Sequence, residues 1–309
     1  MAKIITIGSV NMDLVLRSKR SPIPGETIKA ENFYTNPGGK GANQAVAIAK
    51  LGGESVFLAR TGDDGYGSEL KTALKKYGVD TQCVKETENC CSGIAVITVT
   101  DDGENSIIIA GGANDKLCRQ DVDDIEDQIE SADAVMMQLE VPIETIKRAI
   151  QIAKKHNKLT VLDPTPVPIS DLPDELFEVD IFSPNKSETE SITGITIKND
   201  NDIKKACDYL LAKGVKQVVM KLGGQGALIV NSSGETRHIE ARKVKAVDTT
   251  AAGDCFTAAM TLRYVETGSM EKAVKFACAA GALTVTAKGA QQSIPYLKDA
   301  EEFLKNKEE

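Results

Sequence analysis

The run Val247-Asp248-Thr249-Thr250-Ala251-Ala252-Gly253-Asp254 leads into a helical pattern. A loop of small residues entering a helix leaves N–H groups without intrahelical acceptors. With the helix dipole, those groups suit an anion such as a phosphoryl group in transfer. Gly253 lets the backbone approach it closely. Asp254, at the helix start, can accept the proton of a hydroxyl attacking phosphorus. On spacing alone, an aspartate N-cap after a small-residue turn explains the same residues and is commoner.

Four further clusters have chemical potential. Pro37-Gly38-Gly39-Lys40-Gly41-Ala42-Asn43-Gln44 precedes an alanine-rich helix; its glycines permit close ligand contact, and Lys40 and Asn43 can grip hydroxyls. A plain loop-to-helix junction fits it too. Asn11-Met12-Asp13 follows the first strand, where ligands gather in open α/β sheets. Asp13 is there either a hydroxyl-binding carboxylate or a turn aspartate, and Glu140, closing Gln138-Leu139-Glu140, is a second candidate. Pro184-Asn185-Lys186-Ser187-Glu188 offers Asn185 to a nucleotide phosphate and Glu188 to magnesium through water, yet reads more simply as a helix start. Lys221-Leu222-Gly223-Gly224-Gln225-Gly226 makes room for a nucleotide or is an ordinary hairpin. Neither a Walker A loop nor a GxGxxG fingerprint is present.

The elements that must position these residues alternate as parallel βαβ units do. Strands are expected at Lys3–Ile7, 55–59, 134–139, Leu159–Leu162, 179–182, 217–220 and 227–230. Helices are expected at 43–51, at 66–77 with Leu70, Ala73, Leu74 and Tyr77 on one face, and around Ile146, Ala149, Ile150 and Ala153. Others follow around Ile203, Ala206, Cys207 and Leu210, at 253–265 and at 270–285. Segments 14–34 and 93–110 lack helical periodicity, the second with a turn at Asp101-Asp102-Gly103. They can pair as a small separate sheet covering a ligand, or be surface hairpins. The tail from about residue 305 to 309 is expected to fray.

Composition narrows the classes. The chain has 309 residues, 41% of them apolar, without the run of about 20 apolar residues a membrane span needs. The N-terminus turns polar too early for a secretory leader. Seven cysteines lacking a CxxC pair, and two isolated histidines, argue against a disulfide framework or structural zinc and for a reducing cytoplasm. The net charge of −8 argues against non-specific nucleic-acid binding, not against an anion held in a local nest of N–H groups.

Taken together, the runs at 38–43 and 248–254, in that order, with Asn11-Met12-Asp13 and the Asn185/Glu188 element, resemble the ribokinase-like family of carbohydrate kinases over nearly the whole chain. The resemblance implies an α/β fold, a three-layer α/β/α core with a mostly parallel sheet plus a small β-sheet lid. The core would comprise 1–13, 36–92 and 114–309, and the lid 14–35 and 93–113. It implies transfer of the ATP γ-phosphoryl group to the 5-hydroxyl of D-ribose, with Asp254 as base and Ala251, Ala252 and Gly253 as anion hole. Asn11, Met12, Asp13, Gly39, Lys40, Gly41, Ala42, Asn43 and Glu140 would line the sugar site.

Asn185, Lys221, Leu222, Gly223, Gly224, Gln225, Gly226 and Cys278 would meet ATP, with Glu188 near Mg2+. Asp248, Thr250, Thr284, Ala287, Gly289 and Ser293 would hold K+, and the lid would pair two copies into a homodimer. Lys221 and Cys278 depart from the family's usual residues, which touches nucleotide preference. The alternatives are the same reaction on fructose, deoxyribose or adenosine, or a non-catalytic sugar-binding protein on this fold. Asp13, Lys40, Asn43 and Glu140, with aromatics at only 4%, favour a polyhydroxylated sugar over a nucleoside.

Overall fold

The computed structural model describes residues 1–102, 105–168 and 171–305. Gly103 of the expected turn, and 306–309 of the expected frayed tail, lie outside the described residues. The chain opens with β1 (Lys3–Ile7), whose Ile4 faces one core cluster while Ile5 and Ile7 face another. Burial on both faces makes it a central strand. β2 (Asn11–Arg17) and β3 (Asn32–Gly38) follow. Then comes α1 (Lys40–Lys50), three residues earlier than the expected start at Asn43. Gly39, at φ 91°, makes the turn, and a Cβ on Gly41 would lie 2.7 Å from the backbone of Gly8 and Ser9. Helix propensity argues against glycine here. Close packing on the end of β1 overrides it.

β4 (Glu54–Gly62) leads to α2 (Gly65–Lys76), capped by Asp64, whose Oδ1 accepts the Gly67 N–H at 2.8 Å. β5 (Val84–Thr87), β6 (Gly93–Val99), β7 (Asn105–Ala110) and the short α3 (Arg119–Asp123) and α4 (Glu126–Ser131) come next. β8 (Ala134–Met137) is shorter than the expected 134–139, and α5 (Ile143–Lys155) buries the predicted Ile146, Ala149, Ile150 and Ala153. β9 (Leu159–Leu162) matches its expectation, whereas β10 (Ile181–Phe182) is half of 179–182. After α6 (Lys186–Thr193) and α7 (Asp200–Ala212), the hairpin β11 (Gln217–Lys221) and β12 (Ala227–Asn231) is extended by β13 (Thr236–Ile239). α8 (Ala252–Thr267), α9 (Met270–Thr284) and α10 (Leu297–Lys305) complete the chain.

The large sheet has the order β13-β12-β11-β10-β9-β8-β1-β4-β5. It is parallel from β11 to β5; β12 pairs antiparallel with β11, and β13 antiparallel with β12. Helices α1, α2, α8 and α9 bury their apolar faces against one side, and α5 and α7 against the other. The result is the expected three layers. The two irregular segments do pair: β3-β2-β6-β7 is a separate four-stranded sheet. Its strands reach beyond the lid boundaries read from sequence, β2 beginning at Asn11 and β3 ending at Gly38. No helix among the described residues is long and apolar enough to cross a membrane. All seven cysteines are unpaired.

The second sheet is pinned to the core by Asn114. Its buried amide accepts the Val10 N–H at 3.0 Å and donates to the Val10 carbonyl at 3.1 Å and to Asn11 Oδ1 at 2.7 Å. A Cβ on Gly93 would collide with the same pair, 2.2 Å from Asn114 Nδ2 and 2.3 Å from Asn11 Oδ1.

Candidate functional site

The start of α8 is built by an unusual backbone. Ala251 sits in the left-handed region at φ 61°, a conformation unfavourable for a residue with a Cβ. Upstream, Asp248 holds the turn: Oδ1 accepts from the Thr250 hydroxyl at 2.7 Å and its N–H at 3.0 Å, and Oδ2 accepts from the Gly289 N–H at 2.9 Å. The capping position therefore falls to Ala251, which has no side chain to cap with. Asp254 is not the N-cap that spacing favours but lies in the first turn, leaving its carboxylate free for other work. The Ala252 N–H leans on the Thr249 carbonyl at 3.3 Å. Those of Gly253 and Asp254, in the first turn, have no intrahelical acceptor.

Asp254 is 7% exposed and accepts from Asn43 Nδ2 at 2.8 Å. That bond joins two motifs 211 residues apart. Burial pushes the Asp254 carboxyl up to about 6; Lys40 and the Asn43 bond oppose this, while Asp163 and Glu140 add to it. A carboxyl tuned this way can take a proton near neutral pH. The oxygen of the same Asn43 amide, Oδ1, is buried without a protein partner, an acceptor able to take a hydroxyl donor.

Asp13 lies within β2, opposite Asn36 of β3, and so is neither at the tip of the first strand nor in a turn. Gly38 makes room for it, since a Cβ there would lie 2.2 Å from Asp13 Oδ2. Burial, then the charges of Glu140 and Asp254, push Asp13 up to about 7 against the pull of Lys40. Glu140 accepts from the Ser9 hydroxyl and, at 3.3 Å, from the Lys40 N–H. The Lys40 ammonium is disfavoured by burial, but Asp254, Glu140, Asp163 and Glu188 outweigh that and raise its pKa. Gly39, Gly41 and Ala42 are buried at the junction, Asn11 is committed to Asn114, and Met12 points into the core. A cleft of 320 Å³ opens here between the second sheet and the loop before α8, lined by Asp13, Asn36, Thr249 and Gly289 among others.

Also beside the α8 start, and sharing Thr249 with that cleft, lies a cavity of 530 Å³. Lys221, Gly223, Gly224, Gly226, Thr249 and Gly253 line its polar part, and Phe256, Cys278, Ala282 and Val285 its apolar end. Burial lifts the Cys278 thiol to about 12, so it acts as an apolar wall. Leu222 and Gln225 face an adjoining groove of 890 Å³ instead. Asn185 and Glu188 form a capping box on α6: the Asn185 side chain accepts the Glu188 N–H at 2.8 Å, and the Glu188 carboxylate accepts the Asn185 N–H at 2.7 Å. Burial raises the Glu188 pKa; Lys221 opposes and Asp163 adds to it. Among the described residues no three His, Cys, Asp or Glu side chains gather as a metal cluster. A divalent ion beside Glu188 therefore has to keep water or phosphate oxygens as ligands, as magnesium does.

The residue that sequence reasoning missed is Asp163, fully buried just beyond β9. It accepts from Lys221 Nζ at 2.7 Å, the Thr257 hydroxyl at 2.9 Å and Gln44 Nε2 at 3.2 Å. A carboxylate after a parallel strand is the same signal that singled out Asp13. Here a proline-rich run conceals it.

The pfkB family carbohydrate kinase model matches residues 1–297. A Haemophilus influenzae protein named ribokinase is 40% identical over 308 residues, 99% of this chain and 100% of that one. A Salmonella typhi protein named deoxyribokinase is 36% identical, over 97% of this chain and 98% of its own. The structure of Arabidopsis thaliana ribokinase complexed with ribose and ATP superposes with a TM-score of 0.93 at 36% identity, covering 99% of each chain. The chain belongs to the pfkB family of carbohydrate kinases and is an ATP-dependent carbohydrate kinase.

Proposed function

We propose that this kinase transfers the γ-phosphoryl group of ATP to the 5-hydroxyl of D-ribose, with Asp254 as the base. The observation that carries the reading is the placement of Asp254: a buried carboxyl at about 6, held by Asn43 and next in the chain to Gly253, which lines a nucleotide-sized cavity. The sugar would lie against Asp13, Lys40, Asn43 and Glu140, beside the smaller cleft that Asp13 also lines, and ATP in the larger cavity. Asp254 orients the hydroxyl and takes its proton as oxygen attacks phosphorus. The Gly253 and Asp254 N–H groups, at the positive end of α8, meet the charge spread over the transferring group. Asn185 would meet the nucleotide phosphates and Glu188 would hold Mg2+ through water; the ion, when bound, would supply charge neutralisation on the phosphates.

Asp248, Thr250, Thr284, Ala287, Gly289 and Ser293 are the candidates for a K+ site. The Asp248–Gly289 bond brings two of their segments together; the buried Thr284 hydroxyl donates to the Ala280 carbonyl of its own helix, and the Ser293 hydroxyl to the Ala290 carbonyl. An oxygen-rich set suits a large monovalent cation. The second sheet acts as a lid over the sugar, with a division at 1–13, 36–92 and 114–309 against 14–35 and 93–113. Its β7 is exposed throughout, with Ile107 at 53% and Ile108 at 73%; an apolar patch on an open edge supports pairing with a second copy. Unpaired cysteines support a cytoplasmic setting. Deoxyribose is the second reading, favoured by the relative named deoxyribokinase. Turnover of MgATP with ribose, 2-deoxyribose, fructose, adenosine or no sugar, with and without K+, tests the assignment. K+-stimulated turnover on ribose supports it; the absence of turnover on every sugar overturns it.

A further inference from the structure

Lys221 closes β11 where that strand meets the start of α6, its N–H donating to the Pro184 carbonyl at 2.8 Å. Its ammonium pairs with Asp163 at 2.7 Å, the two side chains being 11% and 1% exposed. Asp163 is held from two other elements as well. Thr257 of α8, which also donates to the Gly253 carbonyl at 3.1 Å, and Gln44 of α1 fix its second oxygen. The carboxylate thus aims the ammonium at one place. That place is the mouth of α8: Lys221 Nζ lies 3.8 Å from where a Cβ on Gly253 would stand. An ammonium has three donors. Asp163 takes one, and Lys221 also lines the 530 Å³ cavity.

A buried ion pair is a weak explanation in terms of stability, because desolvation offsets most of the attraction and apolar residues would do as well. A cation aimed at an anion-binding helix start has a chemical explanation instead. Lys40 lies on the sugar side of Asp254, among Glu140 and Asp254. Lys221 lies on the nucleotide side. We propose that Lys221, aimed by Asp163, is the fixed cation of the leaving group: it donates to the phosphate oxygens of ATP beside Gly253 and neutralises the charge that gathers on ADP. As the bond from γ-phosphorus to the bridging oxygen breaks and the bond to the sugar oxygen forms, the hydroxyl proton goes to Asp254 and Lys221 gives up none. Lys221 is a catalytic residue in this scheme, and Asp163 a positioning residue. The inference rests on the nucleotide assignment above and is independent of which sugar is used.

The test uses the full chain with Lys221→Met, Asp163→Asn and the double variant, which removes both charges and leaves no unpaired buried carboxylate. Calorimetric MgADP binding without sugar is measured beside steady-state turnover. Lys221→Met is expected to lower kcat about 10²-fold and to weaken MgADP on the order of tenfold, with the sugar KM unchanged. The double variant should recover thermal stability but neither nucleotide affinity nor turnover. Lys221→Arg should regain part of the MgADP affinity. MgADP affinity and kcat within about twofold of wild type in the folded double variant would overturn the proposal. A wild type that turns over no sugar sinks the substrate assignment alone, and the MgADP arm then decides on Lys221.

Discussion

Asp254→Asn separates what the buried carboxyl does for the reaction from what it does to the fold. The variant keeps shape and volume, and its amide oxygen can still accept from Asn43, now 2.8 Å from the carboxylate. In the wild type the carboxyl moves from 3.8 to about 6, with burial the largest cause. A folded value above the unfolded one means the neutral form is favoured in the fold. The associated stability is present below about 3.8 and is lost as pH rises through about 6. Above that window, the ionised group costs the fold roughly 3 kcal/mol. Asparagine removes this term, so Asp254→Asn should be more stable than wild type by roughly 3 kcal/mol at about pH 8 and nearly equal to it at about pH 4. Urea unfolding across that range reads the difference. Turnover should fall about 10²- to 10⁴-fold, while wild-type kcat/KM should rise with pH through about 6. Retained turnover would remove Asp254 as the base. A stability change that is absent, or independent of pH, would refute the account of its tuning.

Gly38→Ala puts a Cβ 2.2 Å from Asp13 Oδ2, so the carboxylate must swing away; the sugar KM should rise at least about tenfold while calorimetric MgADP binding stays as it was. Ala251→Gly relieves the left-handed conformation at φ 61° and should stabilise the fold by about 0.5–1 kcal/mol, seen as a higher Tm; a lower Tm would mean the backbone there is not strained. Ile108→Asp, at a side chain 73% exposed on β7, should leave turnover near wild type but give a monomer by sedimentation; an unchanged dimer would place the interface elsewhere.

Much of the site is written locally, and therefore legible. The small-residue run before α8 and the glycines before α1 announce the two loop-to-helix junctions that the Asn43–Asp254 bond joins. The details escaped wherever tertiary packing overrides local preference. Lys40 begins a helix that two glycines argue against, because Gly41 must fit on Gly8 and Ser9. The left-handed Ala251, tied through Thr250 to Asp248, moves the cap upstream of Asp254. Asp163 has a readable position, but its partners Gln44, Thr257 and Lys221 come from three distant elements. The pairing of β2 with β6 is parallel and non-local, which periodicity cannot reveal.

The Asn114 pin fixes where a closing movement can have its axis. Bonds to Val10 and Asn11, and the tight seat of Gly93, hold the near ends of β2 and β6 to the core. The far ends of those strands, at Arg17 and Val99, lie six residues farther out and pair with their sheet neighbours. Rotation about such an axis moves each residue in proportion to its distance from it. Asp13, two residues beyond Asn11 and therefore about 7 Å along the strand, travels little; the outer edge of the sheet sweeps several times farther. The cleft beneath the proposed lid can thus widen while Asp13 keeps its bearing, and the same leverage makes the outer edge the place where a closing movement is most easily read by a distance probe.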